Sequence, residues 1–310
     1  MELSFDPRKN IGVGEYFFSY AQNYNYLLES FNRYRKTFKN YIEVIRKFRA
    51  NESEINCVLK NGDTKTLSRF EIIMHTRNTE KFCKITDDIL SIKIRDLEEI
   101  LMTDWQENGD FFSTVLYDDE YELIDIAEKD VIDVGANNGD TSIYFARRGA
   151  KNVIALEPLP SNFESVKKNI ELNNLTTIIN PIMAGLGGEH DQFNISENLK
   201  GASYSADDSG VGINVPIITL DEILELSKND QRVLKLDCEG CEYETFLHAS
   251  KDTLQNFNQI LIAYHFGYKN LVKKLGESGF TVTYSKPRYY YRSQQSPSNM
   301  FLGHIFACKT

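Results

Sequence analysis

From Ala127 onward, short apolar runs and amphipathic stretches take turns along the chain. The runs at 131–134, 152–156, 177–182, 215–219, 232–236, 258–264, 279–284 and 301–308 read as strands. The stretches at 140–148, 161–173, 221–227, 242–248 and 269–277 read as helices. Apolar strands alternating with helices of this length predict an α/β fold, a mainly parallel sheet with helices on both faces. Upstream the period changes. Phe17, Tyr20, Tyr24, Leu27, Phe31, Tyr34, Phe38, Tyr41, Ile45 and Phe48 follow one another at alternating steps of three and four. That spacing predicts one amphipathic helix, about 48 Å long if unbroken, or two shorter ones interrupted near Gln22–Asn25. Between the two patterns, Ile55–Leu67 alternates around Asn61-Gly62-Asp63, a hairpin signal. Helical stretches are expected around Thr86–Asp104 and Glu120–Ala127. The chain then divides into an N-terminal amphipathic helical extension (1–52), a mixed α/β connecting region with a β-hairpin (53–126) and a doubly wound domain (127–310). Residues 196–214 have loop composition and a length typical of lids and binding loops.

Charge changes the picture in one place. The chain carries a net charge of −10 over 310 residues, which argues against nucleic acid as a partner, since phosphate binding needs a basic footprint. Residues 31–50, however, hold seven Lys and Arg against the single acid Glu43, a local +6 that leaves −16 elsewhere. The aromatic seam in the same region is open to three roles: packing on the body of the protein, pairing with a second copy, or contact with an anionic lipid or glycolipid surface. No apolar run approaches the length that spans a bilayer, and the start, Met-Glu-Leu-Ser-Phe-Asp, lacks a signal-peptide layout. Five cysteines, an odd number, predict reduced thiols and a cytoplasmic protein.

The most informative stretch is Asp-Val-Ile-Asp-Val-Gly-Ala-Asn-Asn-Gly-Asp at 130–140. A β-branched strand runs into a turn bounded by Gly135 and Gly139 and then into a helix. Such a turn offers backbone N–H groups and a helix N-terminus to a ligand. The following strand ends in Glu157-Pro158, where an acid meets ribose hydroxyls in doubly wound sheets. The turn reads G-x-x-x-G and lacks the middle glycine of the dinucleotide fingerprint. With Asp133 beside it, the site suits S-adenosylmethionine better than a diphosphate; a nicotinamide or flavin site and an ordinary α/β turn are the other readings. Val-Leu-Lys-Leu-Asp-Cys-Glu-Gly-Cys-Glu at 233–242 is a second strand tip, predicted to lie beside the first.

Residues 131–140, Glu157-Pro158, Thr219-Leu220-Asp221-Glu222 and 234–242 together resemble the FkbM family of methyltransferases, over about residues 105–310. The resemblance implies a class I methyltransferase fold, Rossmann-like, using S-adenosylmethionine to O-methylate a hydroxyl of a sugar, glycolipid or related metabolite. It places Asp133, Gly135, Ala136, Asn137, Asn138, Gly139, Glu157 and Pro158 around the cofactor, with Met183 and Ala184 near its adenine. The chain departs from the family at Cys238 and Cys241, where small aliphatics are usual, and at Ala263, where an acid is common.

An alcohol needs a base or a metal to attack near neutral pH. Asp237, Glu239 and His265 are the candidate catalytic residues, against capping or structural roles for each. Glu242 reads as structural. Cys238 and Cys241 form a C-x-x-C without a second ligand pair, so they read as buried thiols rather than a metal or redox site. His75, His190, His248 and His304 join no constellation. Arg288-Tyr289-Tyr290-Tyr291-Arg292 fits a surface hairpin strand, or a grip on a sugar or anionic head group. An RNA or tRNA methyltransferase and a non-catalytic scaffold that keeps the fold are the competing functions.

Overall fold

A computed structural model describes residues 6–105, 120–195, 212–290 and 300–309. The N-terminal part comprises α1 (Val13–Thr37), α2 (Tyr41–Arg49), the hairpin β1 (Glu54–Val58) and β2 (Thr64–Ser68), α3 (Arg69–Arg77), and a small sheet of β3 (Cys83–Thr86), β4 (Ile89–Ile92) and β5 (Ile100–Met102). The rest follows as β6 (Asp130–Val134), α4 (Asp140–Arg147), β7 (Asn152–Leu156), α5 (Pro160–Leu172), β8 (Ile179–Ile182), β9 (Gly185–Leu186), β10 (Asp191–Ile195), β11 (Ile213–Ile218), α6 (Leu220–Leu226), β12 (Arg232–Leu236), α7 (Cys241–His248), α8 (Lys251–Leu254), β13 (Gln259–Tyr264), α9 (Lys269–Glu277), β14 (Phe280–Tyr284), β15 (Arg288–Tyr290) and β16 (Met300–Lys309).

The central sheet has the order β14-β16-β13-β12-β6-β7-β8, with β15 pairing onto β16. The pairs from β13 through β8 are parallel, whereas β16 runs antiparallel to both its neighbours. Alternate residues of the buried strands feed two cores. Val131, Val153, Ala155 and Val233 pack with Ile143 and Phe145 of α4 and Val166 of α5. Ile132, Val134, Ile154 and Leu234 pack with Ile223 of α6, Phe246 of α7 and Leu271 of α9 on the other face. Period-two strands buried on both sides produce this two-faced core. The expected strand at 215–219 does not enter the central sheet. It is part of β11, which pairs with β10 and β9 in a separate three-stranded sheet.

Two expectations for the N-terminal half are corrected. The long helix is broken at Phe38, not near Gln22–Asn25. Phe38 bridges to Leu59, Lys60 N–H donates to the Thr37 carbonyl at 3.1 Å, and Asn40 Oδ1 accepts from Val58 N–H at 2.8 Å. The hairpin edge thus offers the backbone bonds that the next helical turn would have made. The expected helix over Thr86–Asp104 is instead strands. Asp87 and Asp88 both have positive φ, 50° and 62°, the conformation of a tight hairpin turn, and Leu90 and Ile92 alternate into the core.

Asn10 ties the N-terminal segment to the body. Its side chain donates to the Phe266 carbonyl at 3.0 Å and accepts from Asn270 N–H at 2.9 Å, and its carbonyl accepts from Tyr268 N–H at 3.0 Å. Further along, Tyr20 of α1 stacks on Tyr289 with ring centroids 4.1 Å apart. Among the described residues no helix is long and apolar enough to cross a membrane. Of the segments singled out in the sequence, 106–119, 196–211 and Tyr291–Arg292 lie outside the described residues.

Candidate active site

The turn after β6 is held by its neighbours. Gly135, Asn137 and Gly139 have φ of 78°, 52° and 87°. At Gly135 a close approach demands glycine: a Cβ there would sit 1.9 Å from the Asp237 carbonyl oxygen. The N–H groups of Gly135 and Ala136 both donate to the Leu156 carbonyl, at 3.0 and 2.9 Å, which ties the turn to the tip of β7. At that tip Glu157, 4% exposed, accepts from Asn137 N–H at 2.8 Å and Leu159 N–H at 2.9 Å, with Asn162 Nδ2 at 3.4 Å. Burial pushes its carboxyl up to about 7 despite these donors. Asp140, at the start of α4, is likewise pushed up to about 7 by burial, although Thr141 N–H donates to it.

Beneath the turn lies a buried ion pair. Asp133 and Lys235 stand opposite each other on β6 and β12, with Lys235 Nζ 3.0 Å from Asp133 Oδ1. The other Asp133 oxygen accepts from the Thr141 and Ser142 hydroxyls, both at 2.6 Å. Lys235 also donates to the carbonyls of Gly135 at 3.2 Å and Val134 at 3.5 Å. Burial alone would lower the lysine pKa, but the Asp133, Asp237 and Asp140 carboxylates outweigh it and hold the ammonium above its ordinary range.

The second cluster gathers the three candidate catalytic residues. Chain direction reverses after β12 through Glu239 (φ 58°) and Gly240 (φ 127°) into α7. His265, just past β13, has Nδ1 2.8 Å from Glu242 Oε1, and its Nε2 lies 3.6 Å from Asp237 and 3.7 Å from Glu239. Glu242 is fully buried, and its other oxygen accepts from Gly240 N–H at 2.9 Å. Burial disfavours charge on the imidazole, but Glu242, then Glu239 and Asp237, push the pKa up to about 10.

A cavity of about 210 Å³ opens at the carboxyl ends of β6, β7 and β12, the crevice where doubly wound sheets bind ligands. Of the residues expected from sequence, Gly135, Asn137, Glu157, Pro158, Ala184, Asp237 and Glu239 line it. Asp133, Ala136, Asn138, Gly139, Met183 and His265 are not among the lining residues. Asn138 is buried, and its side-chain oxygen finds no donor among the described residues. Tyr121, Asp140, Asn162 and Lys235 also line the cavity and are not among the site residues expected from sequence. Lys235 had a signal: a lysine inside the apolar run Val233–Leu236 must face an acid on the adjacent strand.

The expectation of reduced thiols is corrected at one pair. Cys238 and Cys241 form a disulfide on the cavity wall, their Cα atoms 5.5 Å apart. The turn through Glu239 and Gly240 brings them within the span that a disulfide bridges. Cys57, Cys83 and Cys308 are free. The two sulfurs and a Glu242 oxygen lie within 4.8 Å of one another, but sulfurs bonded to each other offer no thiolate to a metal.

Residues 133–282 match the family model described as the methyltransferase FkbM domain. This part of the chain is similar to an FkbM methyltransferase domain. The doubly wound sheet around its site is of the class I, Rossmann-like kind. The matched stretch takes in the glycine turn, Glu157, the Asp237 tip and His265. A crystal structure of methyltransferase FkbM from Methylobacillus flagellatus superposes with a TM-score of 0.42 at 13% identity, covering 77% of this chain and 53% of that one. TrmK of M. capricolum, solved with S-adenosyl-homocysteine, has a TM-score of 0.39 at 14% identity over 62% of this chain and 66% of its own. The ribosomal protein L11 methyltransferase of Bacillus pumilus is 40% identical over 65 residues, 20% of this chain. The chain covers 27% and 21% of the lengths of the two curated relatives it matches.

Proposed function

We propose that the cavity binds S-adenosylmethionine and that the protein transfers its methyl group to a hydroxyl of a sugar, glycolipid or related metabolite. The observation that carries this reading is the charge of the cavity wall. Four carboxyl groups, Asp140, Glu157, Asp237 and Glu239, line it against one ammonium, Lys235, and the first two ionise as pH rises through about 7. Lys235 lies 3.0 Å from Asp133 Oδ1 and donates to the carbonyls of Gly135 and Val134, so its charge is already countered by a buried acid. Such a wall repels a diphosphate and complements a sulfonium and an ammonium. Glu157 would hold the ribose diol, the turn at Gly135–Gly139 the amino-acid end, and Ala184 the adenine.

When bound, the cofactor supplies an electrophilic methyl carbon together with its own leaving group. The acceptor hydroxyl must lose a proton as it attacks. Asp237 is placed to take it: its side chain is 41% exposed at the cavity, whereas His265 is 8% exposed behind it. An imidazole pushed up to about 10 holds a proton on both ring nitrogens at neutral pH and cannot serve as the base. His265 instead orients Asp237 and Glu239, which lie 3.6 and 3.7 Å from its Nε2, while Glu242 holds the ring. The assay is methyl transfer to a panel of hydroxyl-bearing glycans with Asp237→Asn beside the parent. Loss of roughly 10²- to 10⁴-fold in turnover with cofactor affinity retained is expected for a general base; full turnover in the variant would refute the assignment.

A further inference from the structure

We propose that the N-terminal α-helices dock the protein on an anionic bilayer surface. The α1 helix turns apolar side chains outward: Val13, Phe17, Tyr24, Leu27, Leu28 and Phe31 are 81, 71, 63, 49, 43 and 43% exposed. At 3.6 residues per turn these six occupy a stripe about 100° wide and about 27 Å long. The acids of that span, Glu15 and Glu29, project from the other side of the helix. Glu15 is engaged by Gly12 N–H at 2.9 Å and the Tyr268 hydroxyl at 2.6 Å. The stripe therefore carries no charge that would have to be desolvated.

Cations begin where the stripe ends. Arg35 lies one turn beyond Phe31 on the same face, and Arg35, Lys36, Lys39, Arg46 and Arg49 are all exposed. The ring of Tyr41, at the start of α2, meets Phe31 edge-on at 5.4 Å and brings the basic helix to the end of the stripe. Along one edge of this face α1 is fixed to the body through Tyr20 on Tyr289 and Tyr16 on Phe301, so the stripe is presented by a held helix.

An anionic bilayer supplies both things this surface lacks, an apolar layer and negative charge. A second copy of α1 would offer the stripe but no anions. A polynucleotide would offer phosphates but no apolar cover for Val13, Leu27 and Leu28. The +6 of residues 31–50 against −16 for the rest of the chain also orients the molecule, with the basic segment toward the surface and the acidic remainder away from it.

The test is co-sedimentation of the full chain with phosphatidylcholine vesicles and with vesicles mixing phosphatidylcholine and phosphatidylglycerol. The protein is expected to pellet with the mixed vesicles, to remain in solution with phosphatidylcholine alone, and to be released by salt. Arg35→Gln/Lys36→Gln/Lys39→Gln is expected to weaken partitioning on the order of 100-fold, as each cation near an anionic surface contributes about a factor of five. Phe17→Ser/Leu27→Ser should weaken it independently of salt, with unchanged thermal melts showing that both variants fold. Equal pelleting with both vesicle types would overturn the proposal. So would a dimer in solution that Phe17→Ser/Leu27→Ser dissolves, or binding to bulk tRNA with none to the mixed vesicles.

Discussion

Lys235 and Asp133 face each other across two adjacent parallel strands, Nζ to Oδ1 at 3.0 Å, with 3% and 0% of their side chains exposed. The pair sits directly under the glycine turn: the lysine reaches the carbonyls of Val134 and Gly135, and the aspartate reaches the first turn of α4 through Thr141 and Ser142. It fixes where β6, β12 and α4 meet, and so where the glycine turn stands relative to Asp237.

Removing one partner of this pair leaves the other buried and uncompensated. Lys235→Met is expected to lower stability by about 3–5 kcal/mol in urea unfolding. The double variant Asp133→Leu/Lys235→Met should recover part of that loss, since two apolar side chains need no counter-charge, yet still bind cofactor poorly because the turn has lost its support.

How much of this was legible in the sequence follows from the range of the interactions involved. The strand–turn–helix around Gly135 and the second tip at Asp237 were readable because apolar runs and glycine positions are local signals. Their adjacency followed from the strand-order rule for doubly wound sheets and holds residue by residue, Leu236 opposite Val134. The break at Phe38 was not readable, because a bridge to Leu59 ends the helix while the heptad pattern runs on unbroken. The β3–β4 hairpin was hidden for another reason: its turn uses Asp87-Asp88 where Asn-Gly would have announced it. The role of Glu242 was masked by its place at a helix start, where an acid is favoured by the dipole alone. Its contact with His265 joins residues from separate strand–helix units.

The acids of the cavity set a pH dependence. Glu157 and Asp140 have folded pKa values of about 7 against ordinary values of 4.5 and 3.8, so the fold favours their protonated forms. That contribution is present below the ordinary values and lost as pH rises to about 7. The melting temperature of the ligand-free protein is expected to fall as pH is raised from about 5 to about 8, and Glu157→Gln should flatten the slope. Affinity for a cationic cofactor should rise over the same interval, as the wall ionises.

His265 acts in a different window. Its folded pKa of about 10 stands above the ordinary 6.5, so its stabilisation is complete below about 6.5 and disappears as pH rises through about 10. NMR of the ring is expected to show an imidazolium still present at about pH 8. His265→Gln, which leaves Glu242 buried without its cation, should cost about 3–5 kcal/mol.

Thiol counting tests the disulfide. In denaturant without reductant, three thiols are expected to react, those of Cys57, Cys83 and Cys308, and all five cysteines after reduction. Cys238→Ser/Cys241→Ser should lower stability by about 2 kcal/mol, the loop-closure contribution of so short a loop. Five reactive thiols before reduction would contradict the cross-link.

On the proposed reading, an acidic cavity at the tips of β6, β7 and β12 takes a cationic nucleoside cofactor and refuses a diphosphate. Calorimetric titration of the purified protein with S-adenosylmethionine and with NAD, beside Glu157→Ala, tests it most directly. Binding of S-adenosylmethionine alone, weakened in the variant, is the predicted result. Binding of NAD in preference, or no binding of S-adenosylmethionine at any pH between about 6 and about 9, a range that brackets the titration of the wall, would contradict it.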